Sequence, residues 1–238
     1  MAVKVGVSTP QFRETAEPAV EAARRAEALG LDGVFVFDHL WPLRRPDRPA
    51  LHAPTLLGAL VAETERVTLG TLVARVGLLP DAVLVHTLAT LARMAGSHRF
   101  VAGLGTGDSA NRAENEAYGI PFAPARERLA AVVACARRLR AEGVRTWIGG
   151  LSPASRRAAA EADGWNGWGL APAAWAEAAA AIPPGVEATW AGQVRGDDAR
   201  AIAAHLRALA EAGAAWAVCA PVHGASVETV AEAAELAR

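Results

Sequence analysis

The run Val3-Lys4-Val5-Gly6-Val7-Ser8, the alanine-rich segment from Ala16 to Gly30 and the run Gly33-Val34-Phe35-Val36-Phe37-Asp38 together decide the fold class. The first and last are short, apolar and rich in β-branched residues, as buried parallel strands require. The middle segment places Ala16, Ala19, Val20, Ala23 and Ala26 on one face at helical spacing and Glu17, Glu21 and Arg24 on the other. Gly30 then stops the helix. Strand, amphipathic helix and strand in that order make one βαβ unit.

Outward from this unit the alternation recurs, with strands predicted at Val67–Ala74, Phe100–Gly105, Arg145–Gly149, Gly164–Leu170, Val186–Ala191 and Ala215–Ala220. Helix-starting residues follow several of them: Pro80-Asp81, Ser152-Pro153 and Asp197-Asp198. No linker or low-complexity tract interrupts the series, so residues 1–238 read as one domain. Eight β/α units at this length predict a (β/α)8 TIM barrel. Periodicity reports units and not closure, so an open doubly wound sheet is the alternative. In a barrel, the residues just after each strand gather at one end, which confines the search for function to eight loops.

Composition narrows the partners. A net charge of −1 supplies no overall basic field for nucleic acid or an anionic membrane. Cys135 and Cys219 form no disulfide framework and lack metal-ligand spacing, which suits a reducing compartment. The N-terminus runs directly into a strand pattern without a signal-like segment, and no apolar run is long enough to span a bilayer. The expectation is a cytoplasmic protein with a small-molecule substrate.

Three strand ends carry chemistry. After the second strand, Asp38, His39 and Trp41 bring together a carboxylate, an imidazole and an indole: an acid/base, a group to orient it and a flat wall for a ring. Equally, Asp38 caps a turn while His39 and Trp41 close the barrel end. After the fourth strand, Gly103-Leu104-Gly105-Thr106-Gly107-Asp108 allows close backbone approach to a ligand, with Asp108 either an acid/base across from His39 or an Asx-turn residue. After the fifth, Gly149-Gly150-Leu151-Ser152-Pro153 opens a helix whose N-terminus suits a phosphate. The loops containing Gly192-Gln193-Val194-Arg195-Gly196 and Pro221-Val222-His223-Gly224 compete for that phosphate. Arg44, Arg45 and Arg48, near Asp47, read as a solvated loop or as a basic rim for an anionic tail. His86, His98 and His205 read as structural, and Trp147, Trp165, Trp168, Trp190 and Trp216 as core.

Together these landmarks resemble the luciferase-like monooxygenase superfamily, and within it the branch that uses the deazaflavin coenzyme F420. The pieces are Ala22-Ala23-Arg24-Arg25-Ala26-Glu27-Ala28-Leu29-Gly30-Leu31-Asp32, Asp38-His39-Leu40-Trp41, Val67-Thr68-Leu69-Gly70-Thr71, Arg99 to Gly107, Asn115-Glu116-Ala117-Tyr118-Gly119, Ile148-Gly149-Gly150 and Asp163-Gly164-Trp165-Asn166. The resemblance implies a ring over the barrel mouth, backed by Leu72, Val73, Ala74 and Arg75, with a non-proline cis peptide in that backbone. It places the cofactor phosphate on Gly149 and Gly150, with Gly105, Thr106 and Gly107 nearby, and counts Asp38 in the cofactor site. It implies hydride transfer to or from F420, with His39 as the acid/base, Asp108 in a secondary proton role and Trp41 as a ring-facing wall. FMN with monooxygenase chemistry is the alternative cofactor reading, and a barrel that binds cofactor without turnover is the non-enzymatic one. Relatives commonly dimerise, so a homodimer is the assembly considered. A cofactor-free aldolase or isomerase would need a catalytic lysine or a metal cluster at the strand ends, and Lys4 lies within the first strand.

Overall fold

The computed structural model describes residues 3–238. Its strands are β1 (Lys4–Ser8), β2 (Gly33–Val36), β3 (Thr68–Thr71), β4 (Ala74–Arg75), β5 (Phe100–Gly105), β6 (Arg145–Gly149), β7 (Gly164–Trp168), β8 (Glu187–Arg195) and β9 (Trp216–Val222). Its α-helices are α1 (Glu17–Ala28), α2 (Ala53–Glu63), α3 (Asp81–Ala95), α4 (Arg112–Ala117), α5 (Ala125–Ala141), α6 (Pro153–Ala158), α7 (Pro172–Ala179), α8 (Ala199–Glu211) and α9 (Val227–Ala237). All strand pairings are parallel, and the order β3-β2-β1-β9-β8-β7-β6-β5 closes through a β3–β5 pairing. The chain is therefore a closed barrel, and the open-sheet alternative falls.

The nine segments make eight barrel strands because β3 and β4 are halves of the single predicted strand Val67–Ala74. Gly70 pairs with Val101 and Ala74 with Leu104, so four steps on one strand oppose three on the other, which is a β-bulge. The Leu72–Val73 peptide within the bulge is cis, as the family resemblance implied. A second difference lies at β8. It continues through Arg195, and β9 through Val222, with Val194 opposite Pro221 and Arg195 opposite Val222. Residues 192–195 and 221–222, expected as loops, thus belong to the sheet, and Gly196, His223 and Gly224 lie beyond the strand ends.

The helices bury their apolar stripes on the outside of the barrel. In α1 the buried positions are Ala19, Ala23 and Ala26, as the spacing required, and Gly30 closes the helix at φ +75°. Asp198 caps α8 through the N–H groups of Arg200 and Ala201, and Ser152 caps α6 through Ser155 N.

Inside the barrel, Phe35, Trp147 and Trp216 form an aromatic plug with centroids 5.5–5.8 Å apart. Glycines make room for them. A Cβ at Gly70 would lie 2.6 Å from Val101 O and 2.9 Å from Phe35, and one at Gly164 would lie 2.5 Å from Trp147. Gly70→Ala is therefore expected to lower the melting temperature by about 2–12 °C, the effect of roughly 1–3 kcal/mol of overpacking in a domain of this size. Gly58→Ala in α2, where a Cβ meets nothing within 4 Å, is expected to raise it slightly through its higher helix propensity. Equal melting of the two variants by circular dichroism would refute the crowding of the plug.

Candidate active site at the barrel mouth

Beyond β2 the chain continues as Phe37-Asp38-His39-Leu40-Trp41, and tertiary contacts hold this loop at both ends. Gln11, fully buried beyond β1, donates from Nε2 to Phe37 O at 2.6 Å and accepts from Phe37 N at 2.5 Å. At the other end, Glu114 of α4, with no exposed surface, accepts from Leu40 N through Oε1, and Trp41 N lies 3.4 Å from the same oxygen. Its second oxygen, Oε2, lies 3.2 Å from His39 Nδ1, 2.9 Å from Arg75 Nη1 and 3.4 Å from Asn111 Nδ2. The Arg75 contact is an ion pair without hydrogen-bond alignment, and no guanidinium nitrogen of Arg75 has a hydrogen-bond partner among the described residues.

Asp38 does not orient His39, as chain adjacency suggested. Its Oδ2 instead accepts from Arg75 N at 2.8 Å. The two carboxylates around Arg75 respond in opposite senses. Burial pushes the Glu114 carboxyl up, but the His39 contact, the Leu40 N–H and the Arg75 charge together outweigh it and hold Glu114 below the usual glutamate range. Burial dominates at Asp38 and raises it, despite the Arg75 N–H and the charges of Arg75, His52 and His39. Arg75 itself is lowered by burial, opposed by Glu114, Asp38 and Asp108.

Asp108 adopts the Asx geometry. It is exposed, its Oδ1 accepts from Ala110 N at 2.8 Å, and its N–H donates to Asn111 Oδ1, which together cap the short turn Ser109–Asn111. Trp41 packs on Tyr118, ring centroids 5.7 Å apart. Around His39, Phe12 stacks on Phe37 at 6.1 Å and tilts on His39 at 6.3 Å, and Trp168 meets Phe37 edge-on at 5.5 Å. Trp168 is 40% exposed and is not a core residue, unlike Trp147, Trp165, Trp190 and Trp216. His205, edge-on to Trp190 in α8, is structural as expected, and burial lowers it.

The glycines of the β5 and β6 ends answer to packing within the chain. A Cβ at Gly105 would lie 2.4 Å from Val73, and one at Gly149 3.1 Å from it, so both make room for the Val73 side chain in the mouth. Ala74, its neighbour, is buried on the helix side. Gly107 (φ +63°) lies over Arg75 Cδ, and Gly150 (φ +135°) abuts Ser155 while its N–H donates to Asn166 O at 3.2 Å. Thr106 Oγ1 donates to Gly107 O. Arg44, Arg45 and Arg48 lie on an exposed loop, with Arg45 paired to Asp47. Among the described residues no cluster of His, Cys, Asp and Glu could hold a metal ion. A concavity of 330 Å³ lined by Lys4, Glu27, Asp32, Arg66, Thr68 and Trp216 lies at the opposite end of the barrel.

Sequence reading thus located His39 and its loop but missed Glu114, Arg75 and Gln11 as its supports. Glu114 lies in a polar stretch beyond β5, and no local pattern joins it to a histidine 75 residues earlier.

The model of the luciferase-like monooxygenase family matches residues 2–189. The chain is 38% identical over 133 residues to an F420-dependent glucose-6-phosphate dehydrogenase of Intrasporangium calvum, a match covering 54% of this chain and 38% of that protein. It is 42% identical over 106 residues to the same enzyme of Beutenbergia cavernae, covering 44% and 30%. The matched stretch thus spans about a third of the length of these curated relatives. Among solved structures, an F420-dependent secondary alcohol dehydrogenase in complex with an F420-acetone adduct is similar at TM-score 0.81 and 17% identity, covering 100% of both chains. The coenzyme F420-dependent tetrahydromethanopterin reductase from Methanopyrus kandleri is similar at TM-score 0.74 and 14% identity, covering 99% of this chain and 98% of that one. At those identities the likeness establishes the barrel fold, and the family match, which spans β1 through the first part of β8, shows that the chain belongs to the luciferase-like monooxygenase family.

Proposed function

We propose that this chain is an oxidoreductase that moves a hydride between coenzyme F420 and a small organic substrate, with His39 handling the substrate proton. The observation that carries the reading is the buried Glu114 carboxylate set against His39 Nδ1 at the mouth of a barrel of this family. Identity to F420-dependent dehydrogenases over part of the chain supports the choice of cofactor.

The mouth suits a flat, partly anionic cofactor. Val73 stands among glycines there, Phe37 and Trp168 present rings that packing leaves partly exposed, and Arg44 and Arg48 lie on an exposed loop beyond β2. These residues would hold the ring and its tail, with Gly149, Gly150, Thr106 and Gly107 around the phosphate. When bound, F420 supplies or accepts the hydride at C5 of its deazaflavin ring.

The chain's own residues manage the proton and the setting. With Glu114 accepting from Nδ1–H, the neutral imidazole presents an unprotonated Nε2. In substrate oxidation that nitrogen takes the hydroxyl proton, and Glu114 stabilises the imidazolium that results; in reduction the proton travels back. Phe12, Phe37 and Trp168 limit water at the reacting atoms. Asp108, whose Oδ1 accepts from Ala110 N in the turn cap, is left out of this proton path. The proposal includes a homodimeric assembly and a cytoplasmic location. The two buried free cysteines agree with a reducing compartment, and no helix among the described residues is long and apolar enough to cross a membrane.

Titration with F420 and, separately, with FMN, followed by cofactor fluorescence and tryptophan quenching, is expected to give micromolar binding of F420 alone. The reverse preference would make the chain an FMN-dependent monooxygenase, and binding of neither cofactor would sink the oxidoreductase reading. With a competent substrate, His39→Ala and His39→Gln should lower kcat by about 10²- to 10⁴-fold while keeping F420 affinity. Asp108→Asn should stay within about 3-fold of the native enzyme, since hydrogen bonding at the cap survives the change. Full turnover by His39→Ala would remove His39 from the mechanism.

A further inference from the structure

His39 Nδ1 and Arg75 Nη1 approach the same oxygen, Glu114 Oε2, at 3.2 and 2.9 Å. A buried carboxylate facing a histidine alone would favour the imidazolium, because charges at this distance attract strongly when little water screens them. An imidazolium cannot take a proton from a substrate. Arg75 carries a permanent charge and shares that carboxylate, so it competes with His39 for Glu114's field.

The surroundings of Arg75 converge on holding it there. Its N–H donates to Asp38 Oδ2, its backbone pairs with Gly105 at the end of the bulge, and Gly107, lacking a side chain, leaves room for its Cδ. Its Nη1 meets Glu114 Oε2 at 2.9 Å, so its tie to Glu114 is an ion pair between buried groups. The charged and titratable groups around the pair come from several elements: Asp38 and His39 beyond β2, His52 before α2, Arg75 on β4, Asp108 before α4 and Glu114 on α4.

We infer that Arg75 is a positioning residue of the site: by neutralising Glu114, it leaves His39 a neutral imidazole with Nδ1–H on Glu114 and Nε2 open to the substrate. The inference deepens the acid/base role proposed for His39 and rests on it for its catalytic meaning. It accounts together for three features of the sequence, Asp38, Gly107 and Glu114, as parts of one device for placing a cation behind the histidine.

The test is an NMR titration of the histidine rings in the labelled full chain without cofactor, with His39→Gln identifying the resonances. In the native protein the neutral His39 ring is expected to carry its proton on Nδ1. In Arg75→Met the pH at which His39 takes up a proton should rise by about one unit or more relative to the native chain, while Arg75→Lys should stay close to native. In a Glu114→Gln background, Arg75→Met should move the titration much less, because the shared carboxylate is gone. With substrate and F420, the acid limb of the kcat profile should follow the same order. A folded Arg75→Met with an unmoved His39 titration would overturn the inference. So would a native ring protonated on Nε2, a measurement that stands even if Arg75→Met fails to fold. Absence of F420 turnover together with the expected titrations would remove the dehydrogenase reading and leave the charge arrangement intact.

Discussion

A carboxylate with no exposed surface must have its charge matched from within the protein, and Glu114 obtains that match from three places at once. It takes the N–H of Leu40 from the loop after β2, the ring of His39 and the guanidinium of Arg75 on β4. Together they tie α4 to the loop after β2 and to β4. The His39 loop is not a regular element, and its conformation depends on this carboxylate at one end and on Gln11 at the other. Removing the Glu114 charge would leave a buried guanidinium without its ion-pair partner and a loop without its anchor.

Below the mouth, the barrel is filled by a size match between strands. Phe35, Trp147 and Trp216 occupy space left by glycines on neighbouring strands, so their rings meet within 5.8 Å. The same exchange is repeated higher up, where Val73 of the bulge lies over Gly103, Gly105 and Gly149. Glycines beyond strand ends invite a ligand-binding interpretation because they permit close approach. Here the side chain approaching most closely is the protein's own, and a ligand at the mouth would meet Val73 as well as bare backbone. The bulge therefore links the fold to the site: it places Val73 in the mouth and Arg75 behind His39.

Much of the architecture was legible along the chain. The alternation of strand-like runs with alanine-rich amphipathic segments located the barrel strands, the stops at Gly30 and the caps at Ser152 and Asp198, because these are decided by neighbours within one or two turns. The splitting of the third strand was not legible as a bulge, since its register depends on which residues of β5 lie opposite. Nor was the length of β8, where Gln193 and Arg195 resemble loop residues until the pairing with β9 accounts for their alternation with buried Val194.

By itself, the sequence determined eight β/α units, an apolar barrel exterior and a histidine at a strand end, because periodicity, capping and strand boundaries are local properties. Only the tertiary structure decided closure, which needs the first strand, β1, to pair with the last, β9, and the partners of the site. Asp38 precedes His39 in the chain but serves Arg75, and Glu114, 75 residues further on, serves His39. Side chains of adjacent residues point in different directions, so sequence proximity does not give contact, whereas a buried charge takes its partners from whichever elements the fold packs around it.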